Sequence, residues 1–406
     1  MSSTAAKQKT EPQLSIPMHA DDANLNDLDV EPHTPAQNKS NDMSCADVTV
    51  HAAAGVTDDI DYQNQILPGV SRTFALTIPQ LPGSLHNIVA NAYLLCRIAD
   101  TIEDDAGIDL EDKKELHDLF LAALAGEVSS ESFINRVHPL ISNNALPEER
   151  ELIKNTDRVL RITHSFSARQ QDILQRRIGT MCAGMPMFQH ALKRQGLDSL
   201  DVLDEYCYYV AGVVGEMLTE LFCDYSDDIA ARGGQMMQLA ASFGQGLQMT
   251  NILKDVWDDF ENETCWLPRD VFFAVGFDLA SLSKDENSAA FAKGIDHLVS
   301  IAHAHLRNAL EYTLLIPRGE SGLRRFCLWS IGLALLTLGR IHQNPIFSNS
   351  AQVKVARKTV RATVMVTSAC SYSNSALRLL FNTAARGLPR AYGFPKFASN
   401  RLSSDS

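Results

Sequence analysis

Residues 236–260 read MMQLAASFGQGLQMTNILKDVWDDF. Apolar residues recur at three- and four-residue intervals from Met236 to Leu253 with no strand-like alternation, which predicts a helix. Asn251, Asp255 and Asp259 then follow at steps of four and share one face of it. The same period runs through 84–104, 111–125, 168–193, 198–225, 227–260, 286–315 and 321–343. Turn residues at Pro68-Gly69, Pro79 to Pro82, Gly196 and Pro317 to Gly319 separate these stretches. No repeat of 30–45 residues is present, so a solenoid is excluded. About 330 residues of helix without a repeat predict an all-α fold, a single large bundle around a central cavity.

The ends differ from the middle. Residues 1–62 hold eleven Asp/Glu against three Lys/Arg, which accounts for −8 of the chain's net −13. Tyr62 is their one aromatic residue. That segment is expected to be a disordered acidic extension, because it has too little apolar surface to offset its ordering entropy. Residues 63–390 are expected to form the helical domain and 391–406 a flexible tail. The eight cysteines form no CxxC pair and no secretory leader is evident, so they are expected to be reduced thiols in a cytoplasmic protein. The longest apolar run, Phe326 to Leu338, is shorter than a membrane span, which leaves a soluble or membrane-peripheral protein. Net acidity argues against nucleic acid as a partner, and nothing in the sequence identifies a partner protein.

A second acidic row precedes the first by some 150 residues. Asp100, Glu103 and Asp104 stand at spacings of three and four after the apolar stretch Ile88 to Ile98. A lone DxxxD is as a rule a solvated face. Two such rows, each emerging from an apolar helix, point instead to metal, since like charges at this spacing repel and need neutralising. Asp100, Glu103, Asp104, Asp255 and Asp259 are the candidate ligands. Mg²⁺ takes a few carboxylates plus substrate phosphates and water, so two facing rows suit the ionisation of an allylic diphosphate. The cavity around them must be apolar, because water quenches a carbocation. A calcium-binding helical protein is disfavoured, as no EF-hand loop accompanies either row.

Between the rows lies Tyr206-Cys207-Tyr208-Tyr209-Val210-Ala211-Gly212-Val213-Val214-Gly215. Gly212 and Gly215 interrupt a helical pattern at a cost of up to ~1 kcal/mol each, so they serve either close helix packing or room for a prenyl chain. Tyr206 is a candidate catalytic residue facing the cation or departing diphosphate. Arg72, Tyr93, Arg97, Gln248 and Asn251 are candidate substrate contacts.

These residues together resemble the squalene/phytoene synthase family from about Val70 to Leu380. The two long signatures are Tyr206-Cys207-x-x-Val210-Ala211-Gly212-Val213-Val214-Gly215-x-x-Leu218-x-x-Leu221 and Gly244-x-x-x-Gln248-x-x-Asn251-Ile252-Leu253-Lys254-Asp255-x-x-x-Asp259. The resemblance implies an isoprenoid-synthase-type bundle that condenses two farnesyl diphosphates head to head with Mg²⁺. Within the family, Ser71 to Ala75, Arg97 to Asp105 and Phe326-Cys327 resemble the squalene-forming branch, which implies reduction by NADPH. It further implies NADPH contacts at Arg72, Arg97, Lys254, Lys354 and Arg357, and a cation-stabilising role for Phe326. Lys254 stands where the family more often has Arg. Two alternatives remain: an NADPH-independent relative making phytoene, dehydrosqualene or hydroxysqualene, and a non-catalytic helical assembly or interaction protein with this fold. The hydrocarbon product also leaves room for peripheral membrane association during its release.

Overall fold

The computed structural model describes residues 54–105, 107–191, 196–283 and 288–391. The first part contains α1 (Ala54–Val70), α2 (Arg72–Thr77), α3 (Gly83–Asp104), α4 (Leu110–Leu124), α5 (Ser130–Val137), α6 (Pro147–Lys154), α7 (Thr156–Ser165) and α8 (Ala168–Gly184). The second contains α9 (Leu200–Cys207), a π-helical turn at Tyr208–Gly212, α10 (Val213–Tyr225), α11 (Asp227–Ala230), α12 (Gly233–Glu261) and α13 (Arg269–Ala274). The chain closes with α14 (Ala289–Leu315), α15 (Ser321–Gln343), α16 (Arg357–Cys370) and α17 (Asn374–Ala384). An isolated bridge between Leu197 and Pro268 is the sole β pairing among the described residues. The all-α expectation therefore holds.

Two apolar cores meet at α12. One gathers α1, α3, α4, α8 and α10 around Leu94, Ile98, Phe120 and Phe222; the other gathers α12 to α15 around Leu253, Trp257, Phe291 and Leu335. Phe243, half-way along α12, packs against both. The 29-residue α12 lies against α14, α10, α15, α9 and the π turn. Its glycines permit that closeness. A Cβ on Gly244 would lie 1.9 Å from the Ala211 carbonyl oxygen, and one on Gly215 would lie 2.1 Å from that of Ala240. A Cβ on Gly212 would meet the Tyr208 ring at 3.0 Å and Ala241 at 3.4 Å. Of the two readings of these small residues, close helix packing is the one the structure supports.

Two expectations are corrected. The first helix begins at Ala54, nine residues ahead of the expected domain boundary. Asp59 on it is buried and paired with Arg158 Nε at 2.9 Å and Arg161 Nε at 2.8 Å, which an average over 1–62 conceals. The apolar run Phe326 to Leu338 is the middle of the 23-residue α15, which is long and apolar enough to cross a membrane. Its membrane-like window is 61% buried inside the bundle, as befits a core helix. Beyond the quoted stretches, α16 and α17 lie within the expected helical domain 63–390. Arg324, buried on α15, fixes them by donating to the Ser371 carbonyl at 2.6 Å and to Asn374 Oδ1 at 2.7 Å. The seven described cysteines form no disulfide. The expected tail from 391, apart from Ala391 itself, lies outside the described residues.

Candidate active site

The two acidic rows emerge from different cores. On α3, Leu94, Leu95, Ile98, Ala99 and Ile102 are fully buried, and this leaves Asp100 and Asp104 on the remaining face. On α12, Ile252, Leu253, Val256 and Trp257 are buried, and Asn251, Asp255 and Asp259 occupy the opposite face with Gln248 beside them. Asn251 is exposed and Asp255 keeps 29% of its side-chain exposure, in the middle of a helix otherwise packed on several neighbours. Such a row is left open to solvent.

Electrostatics link the two rows. Surrounding protein raises the Asp259 carboxyl well above its usual range, and Asp255, Asp258 and Asp104 of the other row add to the rise. Desolvation pushes Asp100 up to about 7; Arg97 opposes the shift and Asp104 reinforces it. Asp104 is raised for the same first reason, again against Arg97. Asp100 nonetheless keeps 32% of its side-chain exposure. A carboxylate reachable by solvent yet walled by protein belongs in a cavity. Tyr206 reports on both rows at once: burial lifts its hydroxyl far above the ordinary phenol range, and Asp104, Asp259 and Asp100 contribute.

Tyr206 is held by aromatic packing. Its ring stacks on Trp266 at 3.9 Å and 15°, and Phe188 meets it edge-on at 5.5 Å. Two residues further on, the backbone makes its π turn, a feature often found at functional sites. At the other end of the first core, Phe326 is buried between Phe222 at 6.2 Å and Phe74 at 6.4 Å, and Phe74 meets Tyr93 at 5.0 Å. The Tyr93 hydroxyl donates to the Val70 carbonyl at 2.9 Å. Aromatic faces carry negative potential, so such walls suit a cation.

Two expected ligands have other neighbours. Glu103 is buried against α4, with Oε2 4.0 Å from His117 Nδ1 and its carbonyl accepting from Lys113 Nζ. It stands apart from the Asp100–Asp104 pair. Arg97 is buried in an ion pair with Glu149 of α6 and lies 4.0 Å from Asp100. A guanidinium committed in this way is a poor phosphate grip for a cofactor and a good internal counter-ion for the α3 row. Asp105 has a third task, accepting from the Gly107 and Ser142 backbone amides at 2.8 and 2.7 Å, which ties down the turn after α3.

The remaining basic residues lie beside α12. Lys254 Nζ is 3.1 Å from Asp255 Oδ2. Lys354 and Arg357 are exposed, and Val353 next to them is sealed in the second core, where a short turn at Ser350–Gln352 packs on α12. The side chain of Arg72 lies outside the described set. Sequence reasoning missed Trp266, Phe188, Phe74 and Glu149. For Trp266 the one available signal was an isolated tryptophan in Cys265-Trp266-Leu267-Pro268 just beyond the second acidic row.

Among the described residues, no three His, Cys, Asp or Glu side chains close into a metal cage. The donor set still fits Mg²⁺, which prefers one or two carboxylates and completes its shell with phosphate and water. Burial first and neighbouring carboxylates second raise Asp100 and Asp259, and a bound cation would relieve both effects.

Comparison with known proteins agrees with this geometry. The squalene/phytoene synthase family model matches residues 67–359. The chain belongs to the squalene/phytoene synthase family. The squalene synthase of Eremothecium gossypii is 30% identical over 283 residues, covering 69% of this chain and 62% of that protein. Squalene synthase BSS of Botryococcus braunii is 30% identical over 326 residues, 77% of this chain and 65% of that protein. The chain thus spans a little under two thirds of these relatives. The solved complex of TcSQS with ligand E5700 shares the fold, with a TM-score of 0.65 and 24% identity over 81% of this chain and 98% of that one.

Proposed function

We propose that this member of the family is a prenyltransferase that joins two farnesyl diphosphates head to head and reduces the product to squalene. The observation that carries the reading is the convergence of both acidic rows on Tyr206, read through the mutual charge effects of Asp104, Asp259 and the Tyr206 hydroxyl. A protein that kept only the fold would have no need for this costly concentration of negative charge.

Asp100, Asp104, Asp255 and Asp259 would hold Mg²⁺ between the rows, and Asn251 and Gln248 add neutral oxygens on the same face. Bound there, Mg²⁺ supplies positive charge that stabilises the departing diphosphate. The protein's own work is positioning and exclusion. Arg97, fixed by Glu149, sets Asp100. The Tyr206 hydroxyl, hard to ionise, stays protonated in the resting site and donates a hydrogen bond toward the diphosphate; as the first coupling yields presqualene diphosphate, it would pass that proton to the departing diphosphate while its oxygen accepts the one lost from carbon. Phe74, Tyr93, Phe222 and Phe326 present ring faces to the cation and exclude water. NADPH, when bound, supplies the hydride that ends the second half-reaction, and Lys254, Lys354 and Arg357 are the residues fitted to its phosphates. Release of a hydrocarbon suits a protein that is soluble with a peripheral hold on membrane.

The test is incubation of purified protein with farnesyl diphosphate and Mg²⁺, with and without NADPH, followed by identification of the products. Squalene with NADPH, and presqualene diphosphate or its breakdown products without it, is the expected result. An identical product at an identical rate in both arms points to an NADPH-independent relative instead. No turnover of any isoprenyl diphosphate removes the enzymatic reading.

A further inference from the structure

From Ser321 to Ala391 the chain carries ten Lys/Arg and not one Asp or Glu, whereas the whole protein has net charge −13. The rest of the chain therefore carries −23. An ordinary soluble surface intersperses both signs, so a stretch of 71 residues with a single sign calls for a reason. Burial explains only part of it. Arg324 is buried on backbone carbonyls and Arg378 pairs with Glu311, but Lys358, Arg361, Arg386 and Arg390 are exposed.

The same stretch exposes large apolar side chains. Met365 is 72% exposed, Leu379 68% and Tyr372 57%. On α16, Val360 and Val364 turn inward, and Trp329 of α15 donates to Ser368 at 3.2 Å. Lys358, Arg361, Met365 and Ala369 recur at three and four residues on the outward face, and Tyr372 continues the spacing past the helix end. Scattered exposed apolar residues need no explanation. A stripe that mixes Met and Tyr with Lys and Arg, within a segment purged of acid, is the pattern of a helix lying in a lipid interface.

We propose that the outer face of the α16–α17 hairpin docks on an anionic phospholipid bilayer, with Arg361 and Lys358 at the headgroups and Met365, Tyr372 and Leu379 below them. The strongly acidic remainder is repelled by the same surface, so the charge asymmetry orients the molecule as well as attracting it. The assignment is independent of the product formed in the active site.

The full chain is to be sedimented with vesicles of phosphatidylcholine alone and of phosphatidylcholine with phosphatidylglycerol. Expected is binding to the second and not the first, weakened by added salt. Arg361→Glu and Met365→Asp, both at exposed positions and each checked for an unchanged circular dichroism melt, should each weaken the partition by about tenfold or more. Equal binding to both vesicle types, or full binding by both variants, overturns the proposal. So does failure of the full chain to bind, whether a second copy or the chain's own acidic residues 1–53 cover the face. Light scattering would identify the second copy as a dimer that Met365→Asp dissociates.

Discussion

The acidic rows on α3 and α12 have the same spacing but are neutralised differently. The α3 row has a counter-ion built in: Arg97, buried and secured by Glu149, stands beside Asp100 and opposes the rise of both Asp100 and Asp104. On the α12 row Lys254 stands beside Asp255, and it is the last-ranked influence on Asp259 behind three carboxylates. One row thus has a buried counter-ion held in place by a second helix, whereas the cation beside the other is only partly buried. Each row is also rooted in a separate core.

The comparison is broken or sharpened first by removing carboxylates. Asp100→Asn and Asp255→Asn should each lower kcat by about two to three orders of magnitude, an effect of the size seen when one preorganised electrostatic group is lost. Thermal stability should hold or rise without metal, since a repelled charge is deleted. Normal turnover with normal Mg²⁺ dependence in both variants would overturn the metal assignment. Next comes the built-in counter-ion. Glu149→Gln strands a buried guanidinium, and breaking a buried pair costs about 3–5 kcal/mol. The melting temperature should fall clearly, while Lys254→Gln at a partly exposed position leaves stability within about 0.5 kcal/mol of wild type. If the two changes cost the same, the contrast between the rows is wrong.

A third measurement concerns the edge of the first core. Truncation after residue 62 should be markedly less stable than truncation after residue 53, because only the former removes Asp59 from Arg158 and Arg161. Equal melting curves would restore the boundary read from composition. The smallest effect is expected from pH. Asp100 is raised to about 7 in the folded chain and titrates lower when unfolded. The native state therefore binds the extra proton between about pH 4 and 7, and metal-free stability falls as pH rises through that window. Addition of Mg²⁺ should flatten the slope, as should Asp100→Asn; a slope of opposite sign would show that Asp100 is ionised with a lowered affinity for protons.

How much of this the sequence discloses depends on the range of the interaction. The apolar period of 84–104 and 321–343 reproduces α3 and α15 almost to the residue, since periodicity is local. The run RKTVRATVMVTSAC carries a weaker local signal, because its Thr and Val residues favour strands and its helix rests on packing against α15. The acidic rows were legible for the same local reason that α3 was. Trp266 under Tyr206 and Glu149 behind Arg97 were not, as each lies some 50–60 residues from its partner and no spacing rule joins them. Glu103 shares a helical spacing with Asp100 and Asp104, but its burial beside His117 of α4 was not readable from α3 alone.

The π turn at Tyr208–Gly212 has a further consequence for engineering and for descent. It holds one residue more than an α-helical turn would, and each residue in an α-helix is worth about 100° of rotation. Tyr206 before the turn faces the acidic rows, and Gly215 after it sits flush on α12. Deleting a single residue between them would scarcely shorten the molecule. The turn would close as an ordinary α-helical one with the flanking surfaces still in phase, whereas a second insertion, with no bulge left to absorb it, would rotate one surface by about 100° against the other.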